Sequence, residues 1–270
     1  MLSELPVEFT KDNLEKYIKE VAKEYRKQGG KHMPAEFILV GGASILINYG
    51  FRDMTTDIDA IIHAASTMKE VINRVGDHYG LPNGWLNADF TKTESYTDKL
   101  FEFSVFYKSY YNVLTIRTIS SEYLIAMKLK SGRQYKKDLS DVLGILMEHE
   151  KLGIPIDIFL IRKAVTDLYE DWNSLPQVSL SFIEAVMSDG QYEKLYEQIK
   201  DSEKLNKEVL ISFDQKYQGL SKESNVDIII ERHQKKAGKK SILAILQEKK
   251  AEIDNGEIGE EVHNKDDYER

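Results

Sequence analysis

Residues 37–62 read FILVGGASILINYGFRDMTTDIDAII, and this stretch is the starting point for the fold prediction. A hydrophobic run ends at Gly41-Gly42, a short helical pattern follows, and a second hydrophobic run carries Asp57 and Asp59. Because side chains alternate across a strand, the two aspartates share one face and lie roughly 7 Å apart along the backbone. The stretch therefore predicts a strand, a helix and a second strand that ends in paired acids.

The aspartate pair predicts a metal site. Two carboxylates side by side repel each other, and a divalent cation between them removes that repulsion at neutral pH. Hard oxygen ligands of this kind suit Mg²⁺ bound together with substrate phosphates. Asp57 and Asp59 are therefore candidate metal ligands and catalytic residues; the alternative is a strand-end turn with two solvated acids.

The glycine pair predicts a phosphate site beside the metal. A strand that ends in Gly41-Gly42 and is followed at once by a helix lets the backbone approach an anion, and it directs N–H groups of the helix N-terminus toward that anion. The anion site and the metal pair are expected to be neighbours.

The order of these motifs resembles the first motif of the polymerase-β-like nucleotidyltransferase superfamily, and more closely its AbiEii/MenT-type branch of bacterial toxins. Residues 120–143, SSEYLIAMKLKSGRQYKKDLSDVL, are similar to that branch's pattern of a Lys on one helix, an Arg, and a Lys-Asp pair that opens the next helix. The resemblance covers the segment from residue 37 to residue 145. Two positions differ from the branch: Ala43 stands where Thr or Ser is usual, and Arg52 is displaced by one residue from the usual Arg. The side-chain contact to a triphosphate that the resemblance implies would therefore come from Ser44, one place later.

The resemblance implies roles for three residues of the second motif. Lys128 would neutralise phosphate oxygens, and otherwise it is a solvated helix position. Arg133 belongs to a group of five cations within ten residues that would hold a triphosphate or an RNA backbone, or would form an ordinary solvated helix end. Asp138 would orient Lys128 or Arg133, or would only charge the first turn of its helix.

The superfamily's chemistry also implies a third acid on an adjoining strand. Glu102, within the strand-like run LFEFSVFY, is the candidate, with Asp98 as the competitor and a solvent-facing strand residue as the alternative explanation. Together with Asp57 and Asp59, Glu102 would bind Mg²⁺ or remove the proton from an attacking hydroxyl.

These motifs predict a Mg²⁺-dependent nucleotidyltransferase that moves a nucleoside monophosphate from an NTP to an acceptor hydroxyl. The resembling toxins suggest RNA, especially a tRNA 3′ end, as the acceptor, and a protein acceptor is the other choice. They also suggest a toxin of a toxin–antitoxin or phage-defence system, with a cognate antitoxin as partner. A second hypothesis is a catalytically inactive nucleotidyltransferase-like module that docks a partner, and Ala43 is its best support.

Composition narrows the class of protein. The chain has 270 residues and no cysteine, which excludes disulfides, thiolate metal sites and Cys nucleophiles. Without a signal-like N-terminus or a run of about 18 apolar residues, a soluble cytoplasmic protein with no membrane partner is expected. The net charge is −8, and residues 251–270 hold eight acids against two cations, so this tail carries most of it.

The element pattern predicts an α/β (α+β) fold with a small mixed-sheet nucleotidyltransferase core followed by a helical bundle domain. Three parts are expected: an α/β domain over 1–120, a helical domain over 121–218 that completes the cleft, and a lysine-rich helical segment with an acidic, disordered tail over 219–270. Thr10 is the predicted N-cap of the first helix. Strands are predicted at 36–40, 57–62, 100–107 and 113–119, and helices at 44–49, 121–131, 137–150, 157–171, 178–199 and 203–218.

Overall fold

The computed structural model describes residues 7–222 and 225–238, together with the single positions 244, 246 and 251. The chain divides into two compact units. The first comprises Met1–Ser131 and Gly144–Ser174, and the second comprises Gly132–Leu143 and Leu175–Arg270. The predicted division at residues 120 and 218 stays a prediction.

A mixed sheet of five strands forms the centre of the first unit. The strands are β1 (Ala35–Leu39), β2 (Ile58–His63), β3 (Leu86–Asn87), β4 (Ser104–Tyr110) and β5 (Leu114–Ile119), in the order β3-β2-β1-β5-β4. The central strand β1 pairs antiparallel with β2 and parallel with β5. The end of β1 therefore meets the beginning of β2, as the quoted stretch requires.

Helices make up most of the remaining described chain. They are α1 (Lys11–Lys27), α2 (Gly41–Asn48), α3 (Thr67–Tyr79), α4 (Ser121–Ser131), α5 (Asp138–Lys151), α6 (Ile158–Tyr169), α7 (Gln177–Asp189), α8 (Tyr192–Lys216) and α9 (Val226–Ala237). Among the described residues, no helix combines the length and the apolar character needed to cross a membrane.

One face of the sheet packs against α1 and α3. Phe37, Leu39, Ile58 and Ala60 are fully buried there, in a cluster that includes the apolar stripes of both helices. Burial of this apolar area supplies the main stabilisation of the first unit. Thr10 begins α1 as predicted, because its side chain accepts a hydrogen bond from the backbone N–H of Asn13 at 3.4 Å.

The predicted fold class is confirmed, and two element predictions are wrong. The strand predicted at 100–107 begins only at Ser104, because a short 3₁₀ helix occupies Asp98–Phe101 and Thr97 caps it by accepting from the N–H of Lys99 at 3.4 Å. The boundary between the helices predicted at 178–199 and 203–218 is also wrong, because α7 ends at Asp189 and α8 begins at Tyr192. Gly190, at φ 67°, ends α7, and α8 then runs unbroken through the polar residues 200–202. The expected acidic tail lies almost entirely outside the described residues.

Candidate functional site

The glycine turn lies directly beside Asp59. Val40 is extended, and α2 begins at Gly41 with φ 55°, a left-handed conformation that glycine adopts without steric cost. A Cβ at Gly41 would lie 3.5 Å from Oδ2 of Asp59, and the N–H of Val40 donates to the Asp59 carbonyl at 3.0 Å. The structure therefore brings the predicted anion turn and one predicted metal ligand together.

Gly42 is covered by the loop that leads into β2. A Cβ at Gly42 would lie 2.5 Å from Oγ1 of Thr55 and 2.8 Å from Nη2 of Arg52, so only glycine fits without displacing either side chain. Arg52 also donates from Nε to the carbonyl of Met54 at 3.1 Å. A guanidinium group thus lies at the glycine turn, where its positive charge would favour an anion.

Asp59 lies on the face of β2 that points away from the core, and Asp57 immediately precedes the strand. Ile58 and Ala60 are fully buried, whereas Asp57 is exposed and Asp59 is half-buried. Thr55 Oγ1 lies 3.5 Å from Oδ1 of Asp57. Asp59 beside the glycine turn, with Asp57 two residues before it, offers carboxylate oxygens of the kind that suits Mg²⁺ bound together with phosphate oxygens.

Asn87 is a neighbour of this site that the sequence did not reveal. It pairs in parallel register with Asp59, so the two side chains leave the same face of the sheet. Its Oδ1 accepts from the N–H of Asp89 at 2.8 Å, and its Nδ2 donates to the carbonyl of Gly84 at 3.0 Å. The strand that carries Asn87 has only two residues, too few for an alternating hydrophobic pattern.

Ser44 lies inside α2 rather than at its exposed start. It is fully buried, and Nδ2 of Asn48 lies 3.5 Å from its Oγ. Its backbone N–H donates to the carbonyl of Val40 at 3.3 Å, which closes the first turn of the helix. The predicted contact between the Ser44 side chain and a triphosphate stays a prediction.

Glu102 does not lie on a strand, which corrects the placement on which its selection depended. It is exposed and follows the 3₁₀ helix, where its N–H donates to the carbonyl of Lys99 at 3.0 Å. Over the residues that the structure describes, no three His, Cys, Asp or Glu side chains form a group placed to hold a metal ion. The choice between Glu102 and Asp98 as third acid stays a prediction.

Lys128 is buried in α4, with only 8% of its surface exposed. Most of the Lys128 side chain is thus withdrawn from water, which does not fit the alternative of a solvated helix position. A lysine can bury its aliphatic stem in this way while its ammonium group reaches polar surroundings. The proposed contact between Lys128 and phosphate stays a prediction.

Arg133 and Asp138 form an ion pair in the second unit. Arg133 Nε lies 2.7 Å from Oδ2 of Asp138, and Nη2 lies 3.3 Å from Oδ1, a two-point contact in which the aspartate side chain is only 1% exposed. Asp138 is also the first residue of α5, where a negative charge is favourable. Asp138 therefore both contacts Arg133 and places a negative charge in the first turn of α5, so the two alternatives for this residue are compatible.

The chain is thus an α/β protein in which a glycine turn at the end of β1 lies beside Asp59 of β2. The chain belongs to the family described as nucleotidyltransferase of unknown function (DUF6036), whose model matches residues 16–200. The match includes the glycine turn, both aspartates and the segment 120–143. It supports a nucleotidyltransferase family in general and not the AbiEii/MenT-type branch in particular. No curated protein and no solved structure matches the chain significantly.

Proposed function

We propose that this protein is a Mg²⁺-dependent nucleotidyltransferase that transfers a nucleoside monophosphate from an NTP to an acceptor hydroxyl, on RNA such as tRNA or on a protein. The observation that carries the proposal is the approach of Gly41 to Asp59, where a Cβ would lie 3.5 Å from the carboxylate oxygen. A phosphate held by the glycine turn would lie within reach of a cation held by the aspartates.

The residues at the glycine turn and the two aspartates have separate roles in this proposal. The backbone of Gly41-Gly42 binds triphosphate oxygens, and Arg52 adds positive charge beside them. Asp57 and Asp59 hold Mg²⁺, which supplies neutralisation of the triphosphate charge. A bond forms between the acceptor oxygen and the α-phosphorus, the bond from that phosphorus to the β-phosphate oxygen breaks, and pyrophosphate leaves. The hydroxyl proton passes to a carboxylate, for which Glu102 and Asp98 are the candidates.

The test is incubation of the full chain with each α-³²P-labelled NTP, Mg²⁺ and total RNA, followed by separation of RNA and protein. Asp57→Asn and Asp59→Asn should each lower label transfer by about 100-fold or more, since the carboxylates act on the transition state. Asp53→Asn, which changes an exposed aspartate four residues before Asp57, is the matched control. Transfer that survives both substitutions would contradict the proposal.

One observation favours the second candidate, a catalytically inactive module that docks a partner. Asn87, an amide, pairs in register with Asp59, at a position from which a carboxylate could have completed an acidic group. An inactive module would bind NTP in the presence of Mg²⁺ and lose that binding in Asp57→Ala and Asp59→Ala. It would nevertheless transfer no label to any cellular RNA or protein.

A further inference from the structure

A cleft rich in basic residues lies in the first unit, apart from the glycine turn. Its volume is about 550 Å³, and side chains from the end of α1, the turn after it and the β4–β5 hairpin line it: Lys23, Arg26, Lys27, Lys31, His32 and Tyr111. No acidic side chain is among its lining residues. In a protein with a net charge of −8, this concentration of cations needs an explanation.

The charge of the cleft exceeds what its local partners neutralise. Lys23 pairs with Glu20 at 3.1 Å and Lys27 with Glu24 at 2.5 Å, both within α1. Arg26 and Lys31 are exposed and make no ion pair with any residue that the structure describes. Cations in the last turn of a helix offset the helix dipole, which accounts for Arg26 and Lys27. Lys31 lies beyond the end of α1, where that account does not apply.

Tyr111 adds a second, independent observation. It and Asn112 both have φ of 54° in the turn between β4 and β5, and asparagine or glycine occupies such positions at the lowest cost. A tyrosine in the left-handed region is strained, yet here its exposed ring lines the cleft. Because backbone strain of this kind concentrates at ligand-binding sites, the exposed ring of Tyr111 is a candidate contact for a ligand.

We propose that this basic cleft binds single-stranded nucleic acid, with the phosphates on Arg26 and Lys31 and a base stacked on Tyr111. The lining residues are all exposed, so a small ligand would remain largely in water, whereas binding sites for small molecules enclose most of their ligand. A flexible strand can instead pass through an open cleft. Cations beside an exposed aromatic ring are the usual means of holding such a strand without reading its sequence.

The cleft lies at the opposite end of β1 from the glycine turn. Lys31 and His32 precede β1, and the Tyr111 turn precedes β5, whose Leu114 pairs with Ala35 at the start of β1. Gly41 follows the end of the same strand, about 20 Å away at 3.3 Å per residue. The cleft is therefore a separate site, and its proposed binding of nucleic acid does not depend on the proposed function.

The first test is fluorescence anisotropy of a short labelled oligouridine, and of the same sequence as DNA, with the full chain. The double variant Arg26→Glu/Lys31→Glu should weaken binding by about tenfold or more, and its loss of affinity between about 50 and 200 mM salt should be smaller than that of the wild type. Lys69→Glu/Lys151→Glu, the same charge change at exposed sites outside the cleft, should leave binding nearly unchanged.

The second test separates stacking from charge. Tyr111→Asn relieves the backbone strain, so the variant should melt at a higher temperature and bind oligouridine about fivefold more weakly or worse. Unchanged binding by this better-folded variant would overturn the stacking contact. Polyglutamate that displaces oligouridine at equal charge would overturn nucleic acid as the ligand and favour an acidic protein.

These experiments test the cleft proposal and the proposed function independently. Asp59→Asn should bind oligouridine as the wild type does, because the cleft lies at the far end of β1. If the wild type transfers no label but binds the strand through Arg26 and Lys31, the proposed function is wrong and the proposal for the cleft is supported. If transfer to RNA occurs and the cleft variants bind normally, the cleft proposal fails alone.

Discussion

At the scale of single residues, Gly41 combines a backbone requirement with a contact to the candidate metal site. Its φ of 55° lies where an L-residue with a side chain is strained, while the space around its Cα allows a methyl group at ordinary contact distance from Asp59. Conformation, and not crowding, therefore sets the cost of a substitution. Gly42 is the opposite case, since the side chains of Thr55 and Arg52 occupy the space that a Cβ would need.

Gly41→Ala should lower the free energy of unfolding by about 1–2 kcal/mol, the cost of a left-handed conformation for alanine. Urea denaturation measures the change. Gly50→Ala is the matched control, because Gly50 lies in open space without positive φ and alanine there should be neutral or slightly stabilising. Equal stability of the two variants would contradict the backbone requirement at Gly41.

Sequence patterns were sufficient to predict that the glycine pair lies near Asp59, because this placement depends on local structure. The glycine pair and the two acids lie in one stretch of the chain, and the antiparallel pairing of β1 with β2 brings Gly41 beside Asp59. Arg52 at Gly42 and Asn87 opposite Asp59 depend instead on how a loop folds back and how a two-residue strand pairs. Glu102 was placed wrongly because the cap at Thr97 competes locally with strand propensity.

At the scale of elements, α5 supports the loop that holds Arg52. The ring of Phe51 packs on Gly144 of α5, where a Cβ would lie 2.4–2.6 Å from three ring atoms. Tyr49, at the start of the loop, donates from its hydroxyl to Oγ of Ser121 at 2.8 Å. A helix outside the glycine–aspartate motif thus positions the loop that covers Gly42.

Gly144→Ala should lower the free energy of unfolding by about 1–3 kcal/mol through overpacking, and it should weaken Mg²⁺-dependent NTP binding because Arg52 follows Phe51. Urea denaturation and equilibrium dialysis measure the two effects. Phe51→Leu in the same chain makes room for the methyl group, so the double variant should be more stable than the sum of the single changes predicts. Strict additivity would show that the ring does not limit residue 144.

In the second unit, α8 contributes a buried carboxyl group to the start of α5. Glu203 Oε1 accepts from the N–H of Leu139 at 3.0 Å and of Ser140 at 3.3 Å, and the hydroxyl of Ser140 donates to Oε2 at 2.5 Å. Burial raises the pKa of Glu203 from 4.5 to about 8, although these hydrogen bonds lower it. The negative charge of Asp141 also raises the pKa. The folded protein therefore retains a proton that the unfolded chain releases.

The stability of the protein should consequently fall as pH rises from about 4.5 to about 8. Below this window both states hold the proton, and above it neither does, so the loss is confined to the interval between the two pKa values. Glu203→Gln removes the titration, and its stability relative to the wild type should rise on the order of a few kcal/mol from pH 5 to pH 8. Parallel pH profiles in urea denaturation would contradict the raised pKa.

Two helix predictions agree with the structure at the predicted boundaries. Helix α4 has the predicted bounds, and α1 begins at the predicted cap. The boundary between α7 and α8 was missed because apolar spacing continues past Gly190, although a glycine after a helical run is an end signal. The polar run at 200–202 predicted a break that α8 does not have, since Glu203 next to it is buried and tied to α5.

At the scale of the whole molecule, the order of elements was sufficient to predict the fold class but not the two compact units. Strand, helix and strand around the glycine pair predict an α/β core, and the helical run after residue 120 follows from periodicity alone. The grouping of Gly132–Leu143 with Leu175–Arg270 depends on contacts between distant parts of the chain. A single sequence carries no direct signal for such contacts.

The resemblance to toxins leads to a prediction about the intact protein in cells. If nucleotidyl transfer to RNA is the cause of toxicity, induced expression of the wild type should arrest growth, and Asp59→Asn should restore it at equal protein level. Asp53→Asn, which keeps the paired carboxylates, should arrest growth as the wild type does. Growth arrest that survives Asp59→Asn would separate toxicity from metal-dependent transfer, because that substitution removes a carboxylate charge from the candidate Mg²⁺ site while preserving the size of the side chain.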